Sequence, residues 1–167
     1  GNLWIGTADG LNKLKDEKIT QIPELAARNI NTIFQATSGE IFIGTTDGLD
    51  KYSNGKIEHF TKREGLSDSN IEVIAQDSAG RLWFGTSNGL TQWQDGKFTN
   101  FTTKQGLPGN HIGQIFENRD GILWVGTSNG LAQFIDGKFK IYNAGESLAH
   151  TSILSSFEDR EGSLWIG

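Results

Sequence analysis

The chain has 167 residues, with 15 lysines and arginines against 20 aspartates and glutamates, and a formal net charge of −5. The basic residues are scattered singly, so the charge pattern of a nucleic-acid-binding surface is missing. No apolar run approaches the roughly 18 residues of a membrane span, so we expect no membrane insertion by this segment. Because there is no cysteine, disulfides, thiolate chemistry and cysteine-based zinc sites are excluded.

One short motif recurs along the chain: an aliphatic residue, an aromatic residue, a second apolar residue and a glycine. Its first copy is Leu-Trp-Ile-Gly at residues 3–6. The motif glycines from Gly44 to Gly167 recur every 41 residues, and the first interval is 38. Self-similarity at a period of about 40 residues, with strand-like content, is typical of β-propellers and solenoids. The aromatic residues of the motif are Trp4, Phe42, Trp83, Trp124 and Trp165.

The third repeat illustrates the expected secondary structure. Asn88-Gly89 and Asp95-Gly96 are turn signals, because Asn, Asp and Gly tolerate the positive φ that tight hairpins need. Four short strands joined by tight turns make an antiparallel meander, which is the blade of a propeller. The predicted strands of this repeat are 71–76, 81–86, 90–94 and 97–101.

We therefore predict an all-β fold made of four-stranded antiparallel propeller blades. The array begins and ends in the second strand of a repeat, so we expect an open arc of slightly more than four blades rather than a closed ring. Residues 23–29 are the one place where a helical turn is expected, because their composition favours helix. The predicted units are an incomplete first blade in 1–22, blades at 30–60, 71–101 and 112–142, and the start of a further blade in 153–167.

The longest segments, here called connectors, join the fourth strand of one repeat to the first strand of the next. In a radial array of blades, only this connection has to run from the outer strand of one blade to the inner strand of the next. The first strand of each repeat is therefore the innermost. The connectors then share one face, the connector face, with the turns between second and third strands. Leu66 and Leu107 are expected to plug the gaps between blades, and polar connector residues are the candidates for ligand contact. These are Arg28, Arg63, Asp68, Asn70, Asn110, His111 and His150.

The aromatic residues of the repeated motif are predicted to form the core between neighbouring blades. A tryptophan stripe could instead be a carbohydrate platform, but a residue that recurs at the same step of every blade is more often inter-sheet core. The glycine after each aromatic residue suggests a position where neighbouring backbone approaches closely.

The remaining polar residues do not form a recognisable reactive centre in the sequence. The three histidines, His59, His111 and His150, share no carboxylate pattern of a metal site or a catalytic dyad. The acidic turns lack the spacing of a calcium loop, and no phosphate-binding loop or nucleophile elbow occurs. We therefore predict no catalytic residues, no metal and no cofactor.

The unit Leu-Trp-(Phe/Val)-Gly-Thr-Ser-Asn-Gly-Leu, followed by Asp-Gly-Lys-Phe and Gly-Leu, resembles the two-component regulator propeller repeat across the whole chain. That resemblance implies the extracytoplasmic sensor region of a bacterial histidine kinase or hybrid two-component regulator, on the periplasmic or extracellular side of the membrane. Any kinase would belong to the parent protein. The family supplies no fixed catalytic or ligand-binding residues.

The leading hypothesis is a non-enzymatic sensor segment that binds a small molecule or glycan on its connector face. A protein–protein interaction propeller is the first alternative. The second is an enzyme similar to the streptogramin lyases, which need a histidine near the axis, whereas 30–35, 71–76 and 112–117 contain none. Expected partners besides the ligand are the remainder of the parent propeller, or a second copy held through open blade edges.

Overall fold

The computed structural model describes residues 2–142 and 151–167, which fold into antiparallel sheets that follow one another in chain order. The first sheet contains β1 (Leu3–Thr7), β2 (Gly10–Lys15) and β3 (Lys18–Gln21). The second contains β4 (Ile30–Gln35), β5 (Ile41–Thr45), β6 (Leu49–Ser53) and β7 (Lys56–Phe60). The third contains β8 (Ile71–Gln76), β9 (Leu82–Thr86), β10 (Gly89–Gln94) and β11 (Lys97–Phe101). The fourth contains β12 (Ile112–Glu117), β13 (Leu123–Thr127), β14 (Gly130–Ile135) and β15 (Lys138–Tyr142), and a last pair contains β16 (Ser156–Glu158) and β17 (Leu164–Ile166).

Within each sheet, strands that are consecutive in sequence pair with one another in antiparallel register. The inner strands of neighbouring sheets also touch: β4 packs against β8, and β8 against β12. The sheets therefore stand side by side as the blades of an open arc, and the predicted all-β propeller fold is confirmed. In the described part of the chain, no helix is long and apolar enough to cross a membrane.

Two short 3-10 turns lie in the connectors. The first, Pro23–Leu25, falls where the composition predicted a helical turn. The second, Thr103–Gln105, was not predicted from the sequence. Its signal is a capping box: Thr102 Oγ1 accepts from the Lys104 N–H, and Gln105 Oε1 accepts from the Thr102 N–H at 2.9 Å.

The hydrophobic core lies between neighbouring blades. The second strands β5, β9 and β13 are buried along their whole length, because they have strands on both sides and a sheet packed on each face. Trp83 packs with Leu107 and Phe139 in the cluster between the third and fourth sheets, and Leu66 belongs to the cluster between the second and third. The predicted plugging role of the connector leucines is therefore confirmed.

The aromatic residues of the repeated motif do not all share one environment. Phe42 and Trp83 are fully buried, Trp124 is nearly so, and Trp4 is half-buried. Trp165, which was expected in the core, is instead 64% exposed. Alternate residues of a strand face opposite sides, and the neighbours of Trp165 in β17 pack against the cluster around Trp124. The indole of Trp165 therefore points to the outer face of the last sheet.

The glycine that ends each copy of the motif is crowded, mostly by side chains rather than by the backbone that was predicted. A Cβ added at Gly126 would also meet the Ile153 carbonyl oxygen, at 3.2 Å. A Cβ added at Gly85 would lie 2.5 Å from Val73 Cγ1 and 2.7 Å from Ile112 Cγ2. These side chains belong to the inner strand of the same blade and to that of the next. Glycine is therefore required where two inner strands pack over the second strand.

Candidate functional site

The inner strands β4, β8 and β12 each contain a β-bulge at their connector end. The register shifts between Ile30 and Thr32 in β4, between Ile71 and Val73 in β8, and between Ile112 and Gln114 in β12. A bulge leaves one residue unpaired and re-aims its side chain. The unpaired residues are Asn31, Glu72 and Gly113, so the first two place polar groups at the inner edge of the connector face.

Glu72 is the centre of the polar contacts on this face. Its Oε1 accepts hydrogen bonds from Asn70 Nδ2 at 3.0 Å and from Ser87 Oγ at 3.1 Å. Its Oε2 lies 2.7 Å from His111 Nε2. The Glu72 side chain is 27% exposed and that of His111 is 42% exposed, so both are accessible to solvent. The pair joins the third blade to the connector that leads into the fourth.

Asn31 extends these contacts to the second blade. Its Nδ2 donates to Asn70 Oδ1 at 3.0 Å and to the carbonyl oxygen of Ile71 at 2.9 Å. The result is one continuous set of contacts across three blades, which we call the rim network. The rim network consists of Asn31, Asn70, Glu72, Ser87 and His111.

Two of the predicted site residues, Asn70 and His111, meet in the rim network through Glu72. Asp68 lies beside it, where its Oδ1 accepts from the Asn70 N–H at 3.1 Å and orients that residue. Asp68 Oδ2 is 3.5 Å from Lys62 Nζ. The carboxylate of Asp68 is therefore largely engaged in shaping the connector.

The other predicted site residues have separate positions. Arg28 Nη1 pairs with Asp47 Oδ2 at 3.3 Å, which ties a connector to the neighbouring turn. Asn110 Oδ1 accepts from the Thr103 N–H at 2.9 Å and closes its own connector. Arg63 is exposed. His150 lies outside the described residues.

Three members of the rim network, Asn31, Glu72 and Ser87, were missed in the sequence. Asn31 and Glu72 occupy the same repeat position and are both polar in strands that are otherwise largely apolar. That coincidence was a usable signal. The bulge that brings these side chains to Asn70 and His111 has no local signature, because it depends on how β4 and β8 pair with β5 and β9.

The geometry of the rim network suits binding better than nucleophilic catalysis. The Glu72 carboxylate accepts from Asn70 and Ser87, so His111 Nε2–H donates to it and the other ring nitrogen, Nδ1, is left for a ligand. Ser87 Oγ contacts Glu72 and not the imidazole. A catalytic triad needs the base between nucleophile and acid, and here the acid occupies the middle. Across residues 2–142 and 151–167, no three His, Asp or Glu side chains gather closely enough to hold a metal ion.

A second acid–histidine contact lies in the outer strands of the second blade. Asp50 on β6 is fully buried, and its Oδ1 lies 2.7 Å from Nδ1 of His59 on β7. The equivalent residue of the third blade is Thr91, whose Oγ1 accepts from the Ser67 N–H of the connector. In the second blade the Asp50–His59 pair thus stands where the third blade has the contact between Thr91 and its connector. The pair is separate from the rim network.

Two segments, residues 65–88 and 106–129, match the family model described as two component regulator propeller. They contain Asn70, Glu72, Ser87 and His111 of the rim network. No curated protein matches the chain.

Solved structures resemble the chain over nearly its whole length. One is described as the extracellular domain of the hybrid two component system BT3049 from B. thetaiotaomicron, with 29% identity and a TM-score of 0.85, covering 99% of this chain and 25% of that one. Another is described as the extracellular domain of the one component system BT4673 from B. thetaiotaomicron, with 27% identity and a TM-score of 0.81, covering 100% of this chain and 24% of that one. The chain thus spans about a quarter of the length of these structures.

A third similar structure is virginiamycin B lyase from Staphylococcus aureus, with 17% identity and a TM-score of 0.75. It covers 99% of this chain and 59% of that one. At this identity the likeness shows the propeller fold alone.

Proposed function

Because the chain carries repeats of the two-component regulator propeller family, we propose that it is a non-enzymatic, ligand-binding segment of a sensor propeller. The parent protein is then a two-component signalling protein whose sensor region lies on the periplasmic or extracellular side of a bacterial membrane. The ligand is a small polar molecule or a glycan, and the connector face receives it. The similarity to extracellular domains of such systems supports this assignment.

The observation that carries the proposal is the Glu72–His111 pair inside the rim network. A charged carboxylate held by three donors needs no rearrangement before a ligand arrives, and such preorganisation favours binding. The exposed imidazole and the Asn31 amide supply further polar atoms beside it. Because the network joins three blades, a ligand that contacts Glu72 or His111 also acts on the packing between blades.

The arrangement of side chains in the rim network, with Glu72 between Ser87 and His111, supports binding over an enzymatic role. A lyase or hydrolase would need His111 free to exchange protons with a substrate and next to a second reactive group. Here Ser87, the nearest hydroxyl in the network, donates to Glu72. The lyase alternative would be favoured instead if the chain degraded a streptogramin.

Isothermal titration calorimetry on the 167-residue chain, with neutral and charged saccharides and free amino acids, tests the proposal. Glu72→Gln and Asn70→Ala are expected to weaken binding of any ligand found by at least tenfold. Glu117→Gln is the matched control, because Glu117 ends an inner strand at the opposite face and accepts from the Ser78 N–H. Equal loss in Glu72→Gln and Glu117→Gln would contradict a site on the connector face.

We also propose that the two ends of the arc contact further propeller blades, either of the parent protein or of a second copy. Large apolar side chains are exposed on the first and last sheets, whereas their repeat equivalents in the middle sheets are buried or half-buried. Exposed apolar patches of this kind mark interaction surfaces. The exposed residues are Leu3, Ile19, Phe157 and Trp165.

A further inference from the structure

Every side-chain hydrogen-bond donor of the rim network already has a partner inside the network or on the backbone. Asn31 Nδ2 carries two hydrogens and donates to Asn70 Oδ1 and to the Ile71 carbonyl oxygen. Asn70 Nδ2 likewise donates to Glu72 Oε1 at 3.0 Å and to Ser87 Oγ at 2.7 Å. The Ser87 hydroxyl has a single hydrogen, which it donates to Glu72 Oε1. The hydroxyl and the two amides therefore have no hydrogen left for a ligand.

The partners also fix the orientation of both amides and the hydrogen on the imidazole. A backbone carbonyl can only accept, so the Asn31 atom that faces the Ile71 oxygen is the nitrogen. An ionised carboxylate also only accepts, so Asn70 turns its nitrogen to Glu72 and its oxygen to Asn31. For the same reason His111 Nε2, which lies 2.7 Å from Glu72 Oε2, carries a hydrogen. Turning either amide over would set two acceptors against each other.

What the rim network offers a ligand is therefore a set of acceptors. A carboxylate oxygen accepts about two hydrogen bonds. Glu72 Oε1 has both of its donors, whereas Oε2 has only His111 and keeps a lone pair. In the neutral imidazole His111 Nδ1 also keeps its lone pair, and Asn31 Oδ1 has no partner among the described residues. The side chains of all three residues reach solvent.

The charge of this surface favours the same kind of ligand. Within the rim network the formal charge is the negative one of Glu72, and the carboxylate of Asp68 lies beside it on the Asn70 N–H. The nearby Lys62 does not supply a free cation, because its Nζ lies 3.5 Å from Asp68 Oδ2. Acceptors and negative charge therefore coincide at the inner edge of the connector face.

We propose that the rim network recognises a primary ammonium group. An ammonium has three N–H donors and no acceptor, and its charge is opposite to that of Glu72. It donates to Glu72 Oε2, and a second donor of the same ligand binds His111 Nδ1 or Asn31 Oδ1. A carboxylate or phosphate would find no free hydrogen here and would be repelled by Glu72. This inference rests on the proposed function and narrows its ligand to molecules that carry an amine, amino sugars among the glycans.

The test compares ethanolamine with three analogues that change one property each. Choline keeps the positive charge but has methyl groups in place of the N–H donors, ethylene glycol is neutral, and glycolate is an anion. Each is added to the 167-residue chain at about pH 8, where free imidazole is uncharged. The His111 ring signals are followed by NMR and are assigned by their loss in His111→Phe.

We expect a saturable shift of the His111 signals with ethanolamine. The dissociation constant should be on the order of 10 mM, as befits a ligand of four heavy atoms. Choline and ethylene glycol should bind at least tenfold more weakly, because the first lacks the donors and the second the charge. Glycolate should leave the signals unmoved. Equal responses to ethanolamine and choline would overturn the proposal, because charge alone would then explain the binding.

Two variants and one internal reference make the result specific. Glu72→Gln is expected to weaken ethanolamine binding at least tenfold. Glu117→Gln removes the same charge at the opposite face and should leave the binding unchanged. The ring of His59, which pairs with Asp50 away from the rim network, should not shift. Equal losses in the two variants, or a common drift of both imidazoles, would contradict the proposal.

The same measurements separate this inference from the proposed function. If a neutral or anionic saccharide binds and Glu72→Gln weakens it, while ethanolamine leaves His111 unmoved, the connector-face site stands and the ammonium preference is wrong. If neither the saccharides nor ethanolamine shift the His111 signals, both proposals fail.

Discussion

The indole N–H of Trp83 donates a 2.7 Å hydrogen bond to the carboxylate of Asp77, and both side chains are buried. The same oxygen accepts from Arg81 Nε at 2.6 Å. The Arg81 guanidinium in turn lies over the Trp83 ring and over Phe134 of the next blade. One acid thus holds together the hairpin of its own blade and the packing between two blades.

Removing the Trp83 side chain is expected to be strongly destabilising. Trp83→Ala should lower the free energy of unfolding by about 3–5 kcal/mol, because it leaves a cavity and strips Asp77 of a buried donor. Urea denaturation followed by circular dichroism measures the change. Trp165→Ala is the matched control: its ring is 64% exposed, so the loss should stay below about 1 kcal/mol. Similar losses in the two variants would contradict the burial difference.

Asn118 of the fourth sheet stands at the repeat position that Asp77 occupies in the third. Replacing it with an acid should stabilise the chain. In Asn118→Asp, one carboxylate oxygen keeps the Ile122 N–H. The other accepts from Trp124 Nε1, which has no hydrogen-bond partner among the described residues. A buried unsatisfied donor costs on the order of 1–3 kcal/mol, so we expect a gain of about 1 kcal/mol in the free energy of unfolding. The reverse change, Asp77→Asn, is the control and should be destabilising. A loss of stability in Asn118→Asp would show that the indole N–H is already satisfied.

The terminal pair of strands should loosen in acid. The Trp165 indole N–H, followed by the backbone N–H of Ser163, holds the pKa of Asp159 below its ordinary value of 3.8. A folded-state pKa that is lowered contributes stability above the unfolded pKa, and that stability is lost as the pH falls through the folded pKa. Hydrogen exchange of the Trp165 indole N–H should therefore be slow at pH 6. It should become faster as the pH falls below 3.8, because protonation of Asp159 weakens the hydrogen bond that protects the indole. Asp159→Asn should remove this pH dependence of the exchange rate. A wild-type chain without it would contradict the hydrogen bond between Asp159 and the Trp165 indole.

The exposed ends of the arc should make the isolated chain associate. Ile19 on the first sheet and Phe157 and Trp165 on the last are expected to pack between copies, because apolar area removed from water is stabilising. Light scattering should show a mass that rises with concentration. Phe157→Ser with Ile19→Ser should keep the chain monomeric, whereas Glu161→Ser should have no effect. A wild type that stays monomeric at high concentration would refute this proposal.

Much of the fold could be predicted from local sequence. The recurring Leu-Trp-Ile-Gly motif and the Asn-Gly and Asp-Gly turns predicted the strands and their antiparallel order. The connector leucines Leu66 and Leu107 were predicted to be buried, and they are. The capping box at Thr102, which favours the second 3-10 turn, is also a local signal in the sequence.

The candidate site was only half visible in the sequence. The sequence predicts Asn70 and His111 as connector-face residues, but Glu72, which joins them, lies in a predicted inner strand and is not among the predicted site residues. Its contacts depend on a bulge in β8 and on the approach of the next connector, and no pattern along one strand records either.

By itself, the sequence determined the repeat, the blade and the residues that alternate between core and solvent, since these follow from turn chemistry and burial that each repeat specifies locally. Only the tertiary structure decided which residues about 40 positions apart meet, because those contacts arise when neighbouring blades pack. The Glu72–His111 pair, the exposed indole of Trp165 and the unsatisfied indole N–H of Trp124 are all of this second kind. Each depends on what the adjacent blade or hairpin offers, and the same motif residue therefore ends in different environments.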